Sequence, residues 1–286
     1  MSPRQILRTA GLAVCTLLLA GCAGLSNKTE RIVDVASGRD MTRAELVARL
    51  RGADFVVLGE LHDNRRHHVL RGELVVDLGR TAVVVAEHLP AGRRVGEGAD
   101  LKSRLIAAGF EDRAWGWPIH EALFGPVLAA GIPVLGGNAA NDAVRQVARA
   151  GATAWPAEVR SLLEAAPLGA AAQAALASDL SAGHCGQLAA ARVPSMVAAQ
   201  RLRDGLMWSA LRDAGGRPSV LVAGNGHARR DYGVPQLAAA LAPRSLTVSV
   251  GFGESGDAVA DAPYDIVWMT LPAKREDPCA GLKMKP

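Results

Sequence analysis

Six short apolar runs punctuate the chain, each too compact for a helix: "FVVLG" at 55–59, "AVVVAEH" at 82–88, "IPVLGGN" at 132–138, "SVLVAGNGH" at 219–227, "LTVSVGF" at 246–252 and "DIVWMT" at 265–270. The first four are β-branched, almost continuously apolar, and end in glycine or a polar residue. Continuous rather than alternating hydrophobicity predicts strands buried on both faces, as in a parallel sheet covered by helices. Helical spacing appears between the early runs, in "HHVLRGELVVDL", "ADLKSRLIAAG" and "EALFGPVLAAG". The alternation predicts βαβ units, hence an α/β fold with a central, mostly parallel sheet flanked by helices. From about 141 to 217 the strand patterns vanish. That Ala-rich stretch, punctuated by Pro156, Pro167, Gly169, Gly183 and Pro194, predicts an inserted helical subdomain or lid over the sheet edge. In it, Ser195 can cap a long helix with Ala199, Leu202, Leu206 and Ala210 along one face. Upstream, Thr42 and Glu45 have capping-box spacing for a helix that Gly52 stops.

The first residues add a compartment. Arg4 and Arg8 precede the apolar run "AGLAVCTLLLA", which ends at "LAGC". A basic start, a short apolar stretch and small residues at the end predict a secretory signal over 1–21. The run is shorter than the roughly 20 apolar residues that a permanent span needs. The Leu-Ala-Gly-Cys ending resembles the lipoprotein signal box, making Cys22 the lipidated first residue of the mature protein. Ala23 follows instead of an aspartate, which points to the outer membrane, facing the periplasm. Residues 22–40 then read as a polar linker and 41–286 as the folded domain.

Charge and cysteines narrow the picture further. Lys and Arg total 32 against 28 Asp and Glu, and the leader removes Arg4 and Arg8 from the basic side. That near-balance leaves no footprint for nucleic acid. With Cys15 in the leader and Cys22 lipidated, Cys185 and Cys279 remain as a pair in an oxidising compartment. A disulfide tying the C-terminal tail to the helical middle is the simplest account, with thiolate metal ligation as the alternative.

In a parallel α/β sheet the ligand crevice lies beyond the carboxyl ends of the strands. Here the unusual polar residues gather at those ends. The first run leads into Glu60 and His62, the second ends in Glu87 and His88, the third in Gly137 and Asn138. The fourth opens into "AGNGHARRDYG", with Asn225, Gly226, His227, Arg229, Arg230 and Tyr232. Each has a plainer reading as a helix cap or a satisfied imidazole, and Asp63 or Asn64 suits the cap. The coincidence of Glu60, His62, Glu87 and His227 at three strand ends predicts a shared pocket. His67 and His68 lie a turn further along and are weaker candidates, while His120 and His184 default to structure. There is no H-E-x-x-H, no G-x-S-x-G and no G-K-[ST] loop, which weakens zinc-peptidase, serine-hydrolase and NTPase readings.

Together "VVLGELHDNRRHH", the glutamate of "VVVAEH", "GHCGQL", "MVAAQRLRD", "LVAGNGHARRDYGVP" and "EDPCAG" resemble the ChaN-like haem-binding lipoproteins of the Tiki superfamily, related to erythromycin esterases. The resemblance runs from about residue 40 to 281. It implies membrane attachment through lipid and a role in haem or iron acquisition. The "GE-x-H" match falls on Glu60 and His62, the second-strand acid on Glu87, and the "GNGH" match on Asn225, Gly226 and His227.

A haem iron needs an axial ligand, and tyrosinate suits ferric haem. Of two tyrosines, Tyr232 stands beside the polar turn, and His227 is the alternative ligand. Arg229 and Arg230 could meet propionates, and Trp115 and Trp117 could wall a flat apolar ligand. The expected function is reversible binding of haem, or another iron-porphyrin, without turnover, with a possible homodimer covering the exposed porphyrin face. The rival is a metal-dependent hydrolase in which Glu60, His62, Glu87 and His227 bind a divalent ion or activate water. A third reading is a structural lipoprotein with a vestigial pocket.

Overall fold

The computed structural model describes residues 30–277 and 279–280. The leader read over 1–21 and the lipidation at Cys22 lie outside the described residues. In chain order the strands are β1 (Arg31–Asp34), β2 (Asp40–Met41), β3 (Phe55–Leu58), β4 (Val83–Pro90), β5 (Val134–Asn138), β6 (Ser219–Val222), β7 (Thr247–Glu254) and β8 (Ile266–Thr270). The helices are α1 (Arg43–Arg51), α2 (Arg65–Leu78), α3 (Leu101–Ala107), α4 (Glu121–Ala129), α5 (Asn141–Ala150), α6 (Ala157–Ala165), α7 (Ala170–Gly183), α8 (Val193–Asp213), α9 (Asn225–Ala228) and α10 (Val234–Leu241). Among the described residues no helix is long and apolar enough to cross a membrane.

One sheet runs β2-β1-β8-β7-β3-β6-β4-β5. The six strands from β8 to β5 are mutually parallel, and β1 joins β8 antiparallel with β2 antiparallel outside it. This is the expected α/β class. The linker reading of 22–40 needs correction, because β1 and β2 lie within or across its end. "RIVD" is too short and too flanked by polar residues to stand out, yet Ile32 and Val33 are buried once β8 supplies a partner.

The all-apolar strands work as their pattern requires, feeding two cores. Val56, Leu58, Val84, Val220, Val222, Val248 and Val250 meet Leu46 and Leu50 of α1, Leu70 and Leu74 of α2, and Phe124 of α4. On the other face Phe55, Val57, Val85 and Leu221 meet Ala198, Leu202 and Trp208 of α8 and Val234 and Leu237 of α10. The helical segment between β5 and β6 is therefore not a lid set apart from the sheet. Its longest helix, α8, lies against β4, β5 and β6 as the covering layer of the second face, with α5, α6 and α7 packed on α8. Its start also differs from the sequence expectation. Pro194 stands in the first turn and the Ser195 hydroxyl donates to the Arg192 carbonyl, so Ser195 lies inside the helix and does not cap it.

Two local signals hold as written. Thr42 and Glu45 form a reciprocal capping box on α1, and the Asn64 side chain accepts from Arg66 N to cap α2. The sulfurs of Cys185 and Cys279 lie 2.09 Å apart, a disulfide that fastens the tail to the α7–α8 connection.

Candidate functional site

The carboxyl ends of β3, β4, β5 and β6 open into one cavity of about 920 Å³. Seven of the expected residues line it together: Glu60 and His62 after β3, Glu87 within β4, Asn225 and His227 on α9, and Arg229 and Tyr232 in the turn that follows. Close approach of the backbone makes this convergence possible. A Cβ on Gly59 would stand 2.2 Å from Asn225 Oδ1, and one on Gly224 would stand 2.8 Å from His62 Nε2. Only glycine lets the β3 and β6 ends come together with those side chains between them. Asn225 uses its amide structurally, donating to the Phe252 carbonyl at 2.6 Å and accepting from Phe252 N at 3.1 Å.

The expected Glu/His set separates into two groups. In the first, His227 lies between two carboxylates, with Nδ1 2.6 Å from Asp204 Oδ1 and Nε2 3.4 Å from Glu87 Oε1. Glu87 Oε2 also accepts from Gly224 N at 2.7 Å. Burial would lower the His227 pKa, but the flanking charges of Glu87 and Asp204 overcome it and push it up to about 10. For Glu87, burial would raise the pKa, and the imidazolium of His227 outweighs it and holds the carboxyl well below its ordinary range. The result is a buried carboxylate–imidazolium–carboxylate chain whose ring nitrogens are both engaged.

This chain makes stability pH-dependent. The folded imidazole titrates near 10 and the unfolded one near 6.5. Its stabilising contribution is therefore complete below 6.5 and lost as pH rises through 10. Urea unfolding at pH 7 and pH 9 should show stability falling with pH, and Asp204→Asn should flatten that slope. An unchanged slope in the variant would assign the effect to other groups.

The second group centres on Glu60, whose side chain is fully buried. Its Oε1 is 2.7 Å from His62 Nδ1 and 3.4 Å from His88 Nε2. Its Oε2 meets the buried Arg71 guanidinium and lies 3.0 Å from His68 Nδ1. His120 joins through ring contact with His68 and His88, at centroid distances of 4.4 and 4.6 Å. Burial holds the imidazoles neutral: His68 is pulled down to about 4, and His88 and His120 fall far below the ordinary range. Sequence reasoning ranked His68 low and left His120 as structural because its signal is only a histidine just before a helix. Its arrival beside His88 is a tertiary fact. His184 stays structural, and the weaker candidate His67 has its ring nitrogens taken up in the fold. The His67 nitrogens meet Leu61 N at 3.1 Å and Thr270 Oγ1 at 3.0 Å, while His184 Nδ1 bonds the Leu180 carbonyl.

The remaining wall carries the aromatic and cationic residues. Tyr232 donates its hydroxyl to Asp179 Oδ2 at 2.6 Å, and the Arg229 guanidinium sits 4.5 Å from its ring centroid. Arg229 also pairs with Asp231 at 2.6 Å and Asp179 at 3.1 Å. Arg230 turns to Asp265 at 3.2 Å and is not among the residues lining the cavity. Trp115 lines the cavity, its ring 5.3 Å from that of His62, whereas Trp117 packs against Phe110. Among the polar lining residues that escaped sequence reasoning are Asp179, Gln200, Arg203 and Tyr264. Gln200 and Arg203, with Asp204 behind His227, lie on α8 within "AAQRLRD", where the helical pattern drew attention to the apolar face alone. Arg203 donates to Asn138 Oδ1 at 2.8 Å and pairs with no carboxylate among the described residues.

The donor set splits the four-residue metal arrangement of the hydrolase reading. Among the described residues the groups whose ligand atoms gather are Glu60–His62–His88 and Glu60–His68–His120, and neither includes Glu87 or His227.

The fold has relatives. The chain is similar in fold to the structure described as cofacial heme binding to ChaN of Campylobacter jejuni, with TM-score 0.69 and 18% identity over 85% of this chain and 97% of that one. The type III effector HopBA1 is similar at TM-score 0.42 and 13% identity, over 80% and 92% of the two chains, too distant to carry an argument. No curated protein sequence matches. A family model described as "Haem-binding uptake, Tiki superfamily, ChaN" matches residues 46–237, more than half of the sequence, and the chain belongs to that family.

Proposed function

We propose that the cavity binds haem and that the protein serves haem or iron uptake as a lipid-anchored, periplasm-facing protein of the outer membrane. The observation that carries the binding reading is Tyr232, a phenol on the cavity wall with a proton acceptor and a stacked cation in place. Burial, with Asp179 alongside, raises its pKa far above the ordinary range. It therefore gives up its proton only where something replaces it. Ferric haem supplies a Lewis-acidic iron that favours an anionic oxygen ligand. Asp179, 2.6 Å from the hydroxyl, is placed to take the proton, and Arg229 over the ring stabilises the phenolate. Arg203, without a carboxylate partner among the described residues, is the cation free for a propionate. Trp115 offers an apolar wall. The residues present thus fit a porphyrin. His227 fits iron ligation less well, since both of its nitrogens already face carboxylates.

The related Campylobacter protein is described as binding haem cofacially. By analogy, two copies of this chain would close over stacked porphyrins. Titration of the protein with haemin should give a saturable Soret band that shifts or disappears in Tyr232→Phe. A spectrum and affinity unchanged in that variant would move the axial ligand elsewhere, and an absence of saturable binding would refute the haem reading. Cys22→Ser should release the protein from the membrane fraction, and retention there would overturn the lipid anchor.

A further inference from the structure

Beyond the haem reading, and independently of it, we infer that Glu60, His62 and His88 form a mononuclear site for a divalent transition-metal ion, separate from Tyr232. One ligand atom from each residue lies within 4.8 Å of the others. The 3.4 Å between His88 Nε2 and Glu60 Oε1 is the ligand–ligand spacing of a tetrahedral ion with bonds of about 2.0–2.1 Å. The 2.7 Å between His62 Nδ1 and Glu60 Oε1 needs to open by about 0.7 Å for an ion to enter.

A second observation points the same way. His88 is 2% exposed, and neither of its ring nitrogens has a hydrogen-bond partner among the described residues. Leaving a buried imidazole unsatisfied is costly, and such groups call for a bound ion, a water or another explanation. The rings around it, Trp115 at 4.5 Å and Phe124 at 5.4 Å, can pack against it but cannot take its lone pair. An ion at Glu60 Oε1 would.

The surroundings are those of a built site. Arg71 holds Glu60 by its other oxygen and also donates to His68 Nδ1, fixing the carboxylate and leaving Oε1 for the ion, as outer partners of metal ligands do. On the opposite side the site is open, since the His62 side chain is 47% exposed and lines the cavity. Two imidazoles and one carboxylate with unfilled positions suit zinc or ferrous iron, and a closed structural site would have used four protein ligands. The other gathering, Glu60–His68–His120, is less suited. His68 Nε2 already meets the His62 carbonyl at 2.9 Å, and its Nδ1 faces Arg71 at 3.1 Å.

The test uses the full chain in detergent, stripped with a chelator and titrated with Co²⁺ and Zn²⁺. One Co²⁺ per chain is expected, with the visible bands of a four- or five-coordinate ion, displaced by Zn²⁺. His88→Gln should weaken binding roughly 100-fold or more, exceeding the 10–100-fold typical of losing an outer partner alone. His62→Gln lies at the cavity surface and covers the case in which His88→Gln does not fold. Tyr232→Phe should keep the Co²⁺ spectrum while altering the haem spectrum, which separates this site from the porphyrin. Folded protein without stoichiometric Co²⁺, or Co²⁺ affinity unchanged in the two histidine variants, would overturn the assignment.

Discussion

Arg71→Met is expected to destabilise the metal-free protein by about 3–5 kcal/mol, the usual cost of leaving one buried charge without its partner. Arg71 is fully buried on α2 and meets Glu60 Oε2, which is fully buried too. Burial pulls the guanidinium down to about 9, against the pull of Glu87, so it remains charged at neutral pH. With the cation gone, Oε2 of the carboxylate at the centre of the site faces only the neutral His68 ring. At roughly 2–4 °C per kcal/mol for a domain of this size, the loss should lower Tm by about 10 °C. The double variant Glu60→Leu/Arg71→Met should recover much of the loss, because a well-packed apolar pair is often no worse than a buried ion pair. Urea unfolding of the wild type, both singles and the double gives the coupling directly. A double variant no more stable than Arg71→Met would place the cost in packing around α2 instead.

Loss of the Cys185–Cys279 bond should have a comparable effect. The bridge closes a loop of sequence separation 94, and removing it restores about 4–5 kcal/mol of chain entropy to the unfolded state. The tail is also held by charge. Arg275 reaches Glu254 at 2.6 Å and Asp63 at 2.9 Å. Cys279→Ser therefore leaves this part of the tail docked while the unfolded ensemble expands. The variant and the reduced wild type should unfold at the same, lower denaturant concentration. Unfolding midpoints that match the oxidised wild type would show that the bond constrains nothing the fold needs.

Much of the fold was legible because the strands are buried on both faces, which writes an unbroken apolar run into the sequence. Strand ends were legible for the same reason, and seven of the residues expected at the site line one cavity, whereas Arg230 and Trp117 do not. What escaped was short or helical. β1 gains its burial from β8, a partner more than 200 residues away, and the two-residue β2 pairs only with β1, so nothing local marks them. Asp204 and Arg203 stand on the polar side of α8, where charged residues ordinarily read as solvated surface. Asp204 is buried only because α8 lies flat on the sheet beside His227. The family resemblance had singled out "MVAAQRLRD", but the helical pattern gave no reason to look at its polar residues. The division of Glu60, His62, Glu87 and His227 into two groups is likewise a matter of side-chain direction, which spacing does not encode.

The order of the sheet limits how copies of this chain can meet. One margin is β2, with two residues. The other, β5, is already engaged by the segment after β4, where Gly136 N donates to the Arg93 carbonyl at 2.8 Å and Val95 N to the Val134 carbonyl at 3.0 Å. Among the described residues neither margin presents a row of free peptide groups long enough to template another strand. For the described residues, self-association by strand addition is closed at both ends. Assembly through the described residues must then be built from side chains, which makes it adjustable by single surface substitutions without disturbing the sheet.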